Sequence, residues 1–311
     1  MKKRIVNCGL IFALAFLILS PVFCDNFLFN FSQFEIIYFS NFAQAMKNCY
    51  PKNFVEQRAE IKNRDIYRLI ELKNDKGEQK IFVYTHGRLM PTELENHWQD
   101  YAPLYAESYP HSVTDPSKMS AFQKKLITEL GKTETRRHNK PNSFTLVQNF
   151  IFNAETQIEI EQELGRITFL GERISVHYKI KPTLARVQAK LENAAKTDWQ
   201  VRRFLDCPHT ITGYNWRQIR DSYQRSAHSW GLSIDCMEAE EIRGSKQIYW
   251  RWTKGFYGDD WVETSLKKRW LPPSKVVAIF ESEGFIWGGK WELWDNMHFE
   301  YRPEILYMQS H

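Results

Sequence analysis

The sequence predicts an α+β protein, because two kinds of pattern alternate along its 311 residues. Short stretches such as Leu232-Ser233-Ile234-Asp235 and Met297-His298-Phe299-Glu300 alternate apolar and polar residues, the mark of a half-buried strand. Longer stretches repeat apolar residues every three or four positions, as Leu184, Val187, Leu191 and Ala195 do, the mark of an amphipathic helix. The length suggests about two domains. The division read here is a signal peptide over 1–24, an α+β accessory region over 25–164 and a second domain over 165–311.

Met1-Lys2-Lys3-Arg4, followed by an apolar run from about Gly9 to Phe23, reads as a secretory signal, with cleavage placed after Cys24. Phe23 stands where a lipoprotein signal needs a small residue, so lipidation of Cys24 is not expected. The run is short for a membrane span, and no stable span is expected after cleavage. The protein is therefore expected to be exported to the periplasm or cell envelope. Its 42 basic and 37 acidic residues give +5, and removing Lys2, Lys3 and Arg4 leaves +2. That balance makes no electrostatic case for nucleic acid as a partner, and Arg136-Arg137-His138-Asn139-Lys140 reads as a solvated loop. Cys49, Cys207 and Cys236 would remain, enough for one disulfide and one thiol, with the pairing open.

In the first region, Asn26 to Phe42 is Phe-rich and reads as an amphipathic helix. Asp65–Leu72 and Gln79–Thr85, joined through Asn74-Asp75-Lys76-Gly77, read as a hairpin with a glycine in its turn. Pro116 to Leu130 reads as a helix capped by Asp115 and stopped by Gly131. A polar stretch follows to Ser143, and Phe144 to Phe152 reads as a strand.

In the second region, Arg173 to His177 is strand-like, with His177 structural. Pro182 to Thr197 is helical, Val201, Phe204 and Leu205 form a further short helical face, and Cys207-Pro208-His209 makes a turn. Ten of the eleven tryptophans lie at or after Trp199; some could line a cleft, but burial in the core is the more ordinary use. Gly255 to Asp260 reads as a loop bordering that cleft. Ser274 to Glu283 is a helix bounded by Pro272-Pro273 and Gly284.

The chemistry gathers in Ser226 to Asp235. His228 and Asp235 stand seven residues apart across a turn at Gly231. Alternation sends Leu232 and Ile234 to the core and Asp235 back toward His228, while Cys236 faces inward. His298 could complete a His-Asp-His set. Two neutral imidazoles and one carboxylate leave a zinc ion a net positive charge and an open position for water. A lone pair of this spacing is more often a structural hydrogen bond, so the surroundings decide.

Ser226-x-His228-x-x-Gly231-x-Ser233-x-Asp235 resembles the S-x-H-x-x-G-x-A-x-D signature of the zinc peptidases that cut peptidoglycan stem peptides, with Ser233 in place of the usual Ala. These are the D-alanyl-D-alanine carboxypeptidases and L-alanyl-D-glutamate endopeptidases, related in fold to the hedgehog domain. Gly213 to Ile219 upstream and Gly284 to Tyr301 downstream match in the same order. The resemblance implies a central, mainly antiparallel sheet flanked by helices, with a zinc cleft across one face. It implies His228, Asp235 and His298 as metal ligands, Asp295 as general base and then acid, and Arg217 (Arg220 as fallback) polarising the substrate carbonyl. Ser226 would support the metal shell by hydrogen bonding.

The implied activity is hydrolysis of a stem-peptide bond. L-alanyl-D-glutamate endopeptidase stands slightly ahead of D-alanyl-D-alanine carboxypeptidase. Lys290 stands where the endopeptidases often carry Asp, and beside the cleft it could pair with a substrate carboxylate, which would favour the carboxypeptidase. A zinc peptidase for ordinary L-peptides and a non-catalytic zinc-containing binding module are the rival classes.

Overall fold

A computed structural model describes residues 24–62, 65–243, 250 and 259–310. The expected signal, apart from Cys24, lies outside these residues, as does most of the expected loop Gly255 to Asp260. Helix α1 (Cys24–Cys49) runs longer than the Phe-rich stretch suggests. Phe39, Phe42, Ala43 and Met46, spaced three and four apart, are its buried face. A meander follows: β1 (Phe54–Lys62), β2 (Asp65–Lys73), β3 (Gln79–Thr85) and β4 (Arg88–Pro91), each antiparallel to the next. The β2–β3 hairpin is the expected one. Asn74 organises its turn, accepting at Oδ1 from the backbone N–H of Lys76 and Glu78.

The segment Pro116 to Leu130 departs from one continuous helix. Asp115 caps only a single turn, Pro116–Lys118, and α2 (Ala121–Gly131) starts afresh from Ser120. There Ser120 and Gln123 exchange hydrogen bonds in a capping box, a second start signal inside the expected helix. The basic run is solvated from Arg137 to Lys140, but it is not all loop and not all exposed. Helix α3 (Thr133–His138) turns Arg136 inward, where it is buried beside Asp221. The expected strand Phe144 to Phe152 is instead helix α4 (Phe144–Ile151). Its buried residues Phe144, Val147, Gln148 and Ile151 recur at helical spacing, and Asn142 Oδ1 accepts the Phe144 N–H at 2.8 Å. Strand propensity of aromatic and branched residues thus lost to packing of one helical face.

After α5 (Gln157–Gln162), β5 (Leu164–Phe169) and β6 (Glu172–His177) form a hairpin. Helices α6 (Lys181–Ala194) and α7 (Trp199–Asp206) pack on each other. Strands β7 (His209–Thr212) and β8 (Ser233–Glu238), helix α8 (Glu240–Arg243), helix α9 (Ser274–Ser282) and strands β9 (Phe285–Trp287) and β10 (His298–Tyr301) follow, and helix α10 (Pro303–Ser310) ends the described chain. The second sheet has the order β7-β8-β10-β9, all antiparallel.

One face of this sheet is core. Leu232, Ile234, Cys236 and Phe299 are fully buried, and Phe280 of α9 stacks on Phe299 with ring centroids 4.0 Å apart. Trp230, Trp270, Trp287 and Trp294 are buried as well, the ordinary use of large aromatics. The same hydrophobic core takes in Phe39, Phe42, Phe82 and Phe144 from before residue 164, and α1 packs against α10. The architecture is α+β with antiparallel sheets covered by helices. Cys49, Cys207 and Cys236 are all free thiols. No helix among the described residues is long and apolar enough to cross a membrane.

Candidate metal centre

The side of the second sheet away from α9 carries the polar residues. Asp235 on β8 and His298 on β10 are direct cross-strand partners, so both side chains leave the same face. His228 arrives from a short helical turn, Ala227–Trp230, just before β8. That turn ends at Gly231 with φ +62°, and a Cβ there would lie 2.6 Å from the His177 backbone nitrogen. Only glycine fits, which is why the chain can reverse so soon after His228.

His228 Nε2 and His298 Nδ1 each lie 3.1 Å from Asp235 Oδ1. One ligand atom from each of the three residues falls within 4.8 Å of the others. The outer nitrogens are held too. His228 Nδ1 lies 2.6 Å from the Gly213 carbonyl, so it must carry the proton it donates there. Its Nε2 then turns a lone pair toward the Asp235 carboxylate. One carboxylate oxygen and two nitrogens at this distance need a proton or a cation among them. His298 Nε2 faces Glu300 Oε2 at 3.4 Å, which leaves Nδ1 as the inner atom. Imidazoles anchored at the outer nitrogen and convergent at the inner one fit a bound metal ion, as second-sphere partners arrange them. Two histidines and one carboxylate suit zinc with a position left open.

Burial by itself would raise the Asp235 carboxyl, but its interactions with His228 and His298 outweigh it and hold the carboxyl well below the usual range. Burial likewise opposes a charge on His298. Hydrogen bonds to Asp235 and Glu300 overcome it and push the imidazole up to about 10.

Asp295 ends the loop that returns to β10, and its Oδ1 is buried with no hydrogen-bond partner among the described residues. Burial first, then the charge of Asp235, raise its carboxyl to about 7, while His298 and Arg217 pull it down. The pair Gly288-Gly289 makes this placement possible. The Asp295 N–H donates to the Gly288 carbonyl at 3.0 Å, and a Cβ on residue 288 would lie 2.6 Å from the Asp295 carbonyl oxygen. The Trp291 ring packs against His298, centroids 5.4 Å apart.

Arg217 is exposed, within electrostatic reach of Asp295, and its guanidinium donates to the Gln218 carbonyl at 3.4 Å. Arg220 lies instead over the Trp250 ring at 5.7 Å. Ser229 is the side chain that ties this loop. It accepts the Arg217 N–H and donates toward the Asn215 and Arg217 carbonyls, whereas Ser226 reaches only the Arg217 carbonyl, through its backbone N–H. Arg225 lies between Trp216 and Trp230, about 4.1 and 4.0 Å from the two rings, and clamps the first block to the second.

Lys290 is engaged within the fold. Its ammonium pairs with Glu281 at 2.5 Å and sits over the Tyr109 ring. Thr212, opposite Asp235 on β7, has its hydroxyl 3.4 Å from Asp235 Oδ2. Gly213, Ser229 and Gly288 support the site without being read as such in the sequence. Glycines in the matching blocks were the available signal for two of them.

Residues 220–301 match the model of a family described as D-alanyl-D-alanine carboxypeptidase. The match covers well under half of the 311-residue chain and shows that this segment is similar to that peptidase family. The matched segment contains His228, Asp235, Asp295 and His298 and begins just after Arg217. No curated protein and no solved structure matches the chain.

Proposed function

We propose that this protein is an exported zinc peptidase that hydrolyses peptide bonds in peptidoglycan stem peptides, on a fold of the hedgehog and D-alanyl-D-alanine peptidase type. The observation that supports it is the convergence of His228, Asp235 and His298 next to the buried Asp295 carboxyl, inside a peptidase-family segment. His228 Nε2, Asp235 and His298 Nδ1 would hold the ion. A zinc ion supplies Lewis-acid polarisation of the scissile carbonyl and makes water a stronger acid.

The chain's own residues do the rest. Asp295, with an unpaired oxygen and a carboxyl near neutrality, takes a proton from the attacking water and delivers it to the leaving amine. Arg217 offers a charged fork of N–H donors to the carbonyl oxygen as it gains negative charge. The Gly213 and Glu300 oxygens hold the imidazoles in register throughout.

The preferred bond is L-alanyl–D-glutamate. Engagement of Lys290 by Glu281 removes a cation that could have read a free terminal carboxylate. The family description favours the second reading, removal of terminal D-alanine.

Digestion of purified sacculi beside casein, with mass spectrometry of the muropeptides, tests the proposal. Stem fragments beginning at D-glutamate are expected. Loss of one alanine from pentapeptides would instead establish the carboxypeptidase with the same site. Cleavage of casein alone would overturn the substrate class, and no cleavage by zinc-loaded protein would leave a binding module.

A further inference from the structure

The metal-centre face is wired to the region before residue 164 through one buried guanidinium. Arg302 follows β10 directly and is only 6% exposed. Each of its three nitrogens meets a different carboxylate. Nε donates to Glu304, Nη1 to Glu300 at 3.4 Å, and Nη2 to Glu107 at 2.6 Å. Glu300 in turn faces His298 Nε2, and Glu304 accepts the Tyr50 hydroxyl at 2.6 Å. The guanidinium also lies over the Phe144 ring, 4.9 Å from its centroid.

A guanidinium is planar and rigid, so carboxylates bound to its separate nitrogens are fixed relative to one another. Buried charges of this kind hold only while every partner is paired. Moving Glu107 or Glu304 therefore re-aims Arg302, and with it the carboxylate that orients His298.

We propose that Glu107 and Tyr50 are positioning residues for His298, acting through Arg302, Glu304 and Glu300, so that the N-terminal region completes the metal centre. The proposal rests on reading His228, Asp235 and His298 as metal ligands. Glu107 has a side chain 40% exposed, so Glu107→Gln removes a charge at the rim of the network and leaves the core intact. Tyr50→Phe approaches from the other side and removes only a hydroxyl.

The test is Co2+ binding to the full chain, measured by chelator competition and by the visible absorption of the bound ion. Glu300→Gln should weaken Co2+ by about 10- to 100-fold, the usual effect of losing an outer-sphere partner. Glu107→Gln and Tyr50→Phe should each weaken it less and shift the absorption band, and Glu107→Asp should restore part of both. Glu107→Gln combined with Glu300→Gln should cost less than the two separate losses together, since Glu107 reaches His298 only through Arg302 and Glu300. Wild-type affinity and spectrum in both Glu107→Gln and Tyr50→Phe would overturn the link to the N-terminal region. Full Co2+ binding by His298→Ala would instead overturn the ligand assignment beneath it.

Discussion

Asp235 and His298 are direct partners across β8 and β10, and their side chains meet at 3.1 Å on the face opposite Phe299. They stand sixty-three positions apart in the chain, and the candidate metal centre forms only in this strand register. A slip by one residue would send Asp235 into the core and bring a neighbour out.

Mature protein should therefore carry about one zinc per chain, and His228→Ala, Asp235→Ala or His298→Ala should each remove most of it together with hydrolysis. Elemental analysis after dialysis checks this. Full occupancy in all three variants would show that the ligands are elsewhere.

Zinc affinity should fall as pH falls. Asp235 and Glu300 keep a proton on His298 up to about 10, so the ion must displace it. Below that value the apparent affinity should drop by about tenfold per pH unit, one proton being released per ion bound. Titration with a zinc indicator at several pH values measures the slope, and a flat profile would contradict it.

Asp295→Asn should keep zinc while turnover falls by roughly two to four orders of magnitude, the usual worth of a positioned acid–base group. Arg217→Lys should also keep zinc and lose rate, because a point charge replaces the planar fork. Near wild-type kinetics in Asp295→Asn would sink the general-base role.

Gly288→Ala should act on Asp295 at a distance. The added methyl would collide with the Asp295 carbonyl, so the loop must move. A loss of about 1–3 kcal/mol in stability and a fall in turnover with zinc retained are expected. Unchanged melting and kinetics would show that the close approach is unimportant.

His177 makes the fold acid-sensitive. It is fully buried, its Nε2 donates to the Phe152 carbonyl, and Nδ1 accepts the Lys179 N–H at 3.1 Å. Burial lowers its pKa to about 4. Between that value and about 6.5 the unfolded chain binds a proton that the folded chain refuses, so stability is complete above the window and lost as pH falls through it. The loss is on the order of 3 kcal/mol. Urea unfolding across the window should show a smaller slope in His177→Gln; an identical slope would place the sensitivity elsewhere.

Periodicity and local signals made a good part of this molecule legible. The alternation in Leu232 to Asp235 and in Met297 to Glu300 gave the correct inward and outward faces, and turn chemistry located the β2–β3 hairpin. The three candidate metal ligands were read from the same blocks, and the fold brings them together. Phe144 to Phe152 was misread because its residues favour strands locally, whereas burial of Phe144, Val147 and Ile151 on one side requires a helix. Arg136 was misread because a basic run carries no sign of which member packs inward.

What the chain determined by itself is the local code: which residues alternate, where glycine permits reversal at Gly231, and which side chains have metal-binding chemistry. Tertiary structure alone decided their partners. It turned Lys290 away to Glu281, chose the Gly213 carbonyl for His228, and linked Glu107 and Tyr50 to His298 through Arg302. Such contacts join residues tens to hundreds of positions apart. They depend on how strands and helices pack as whole surfaces, which no short-range period encodes.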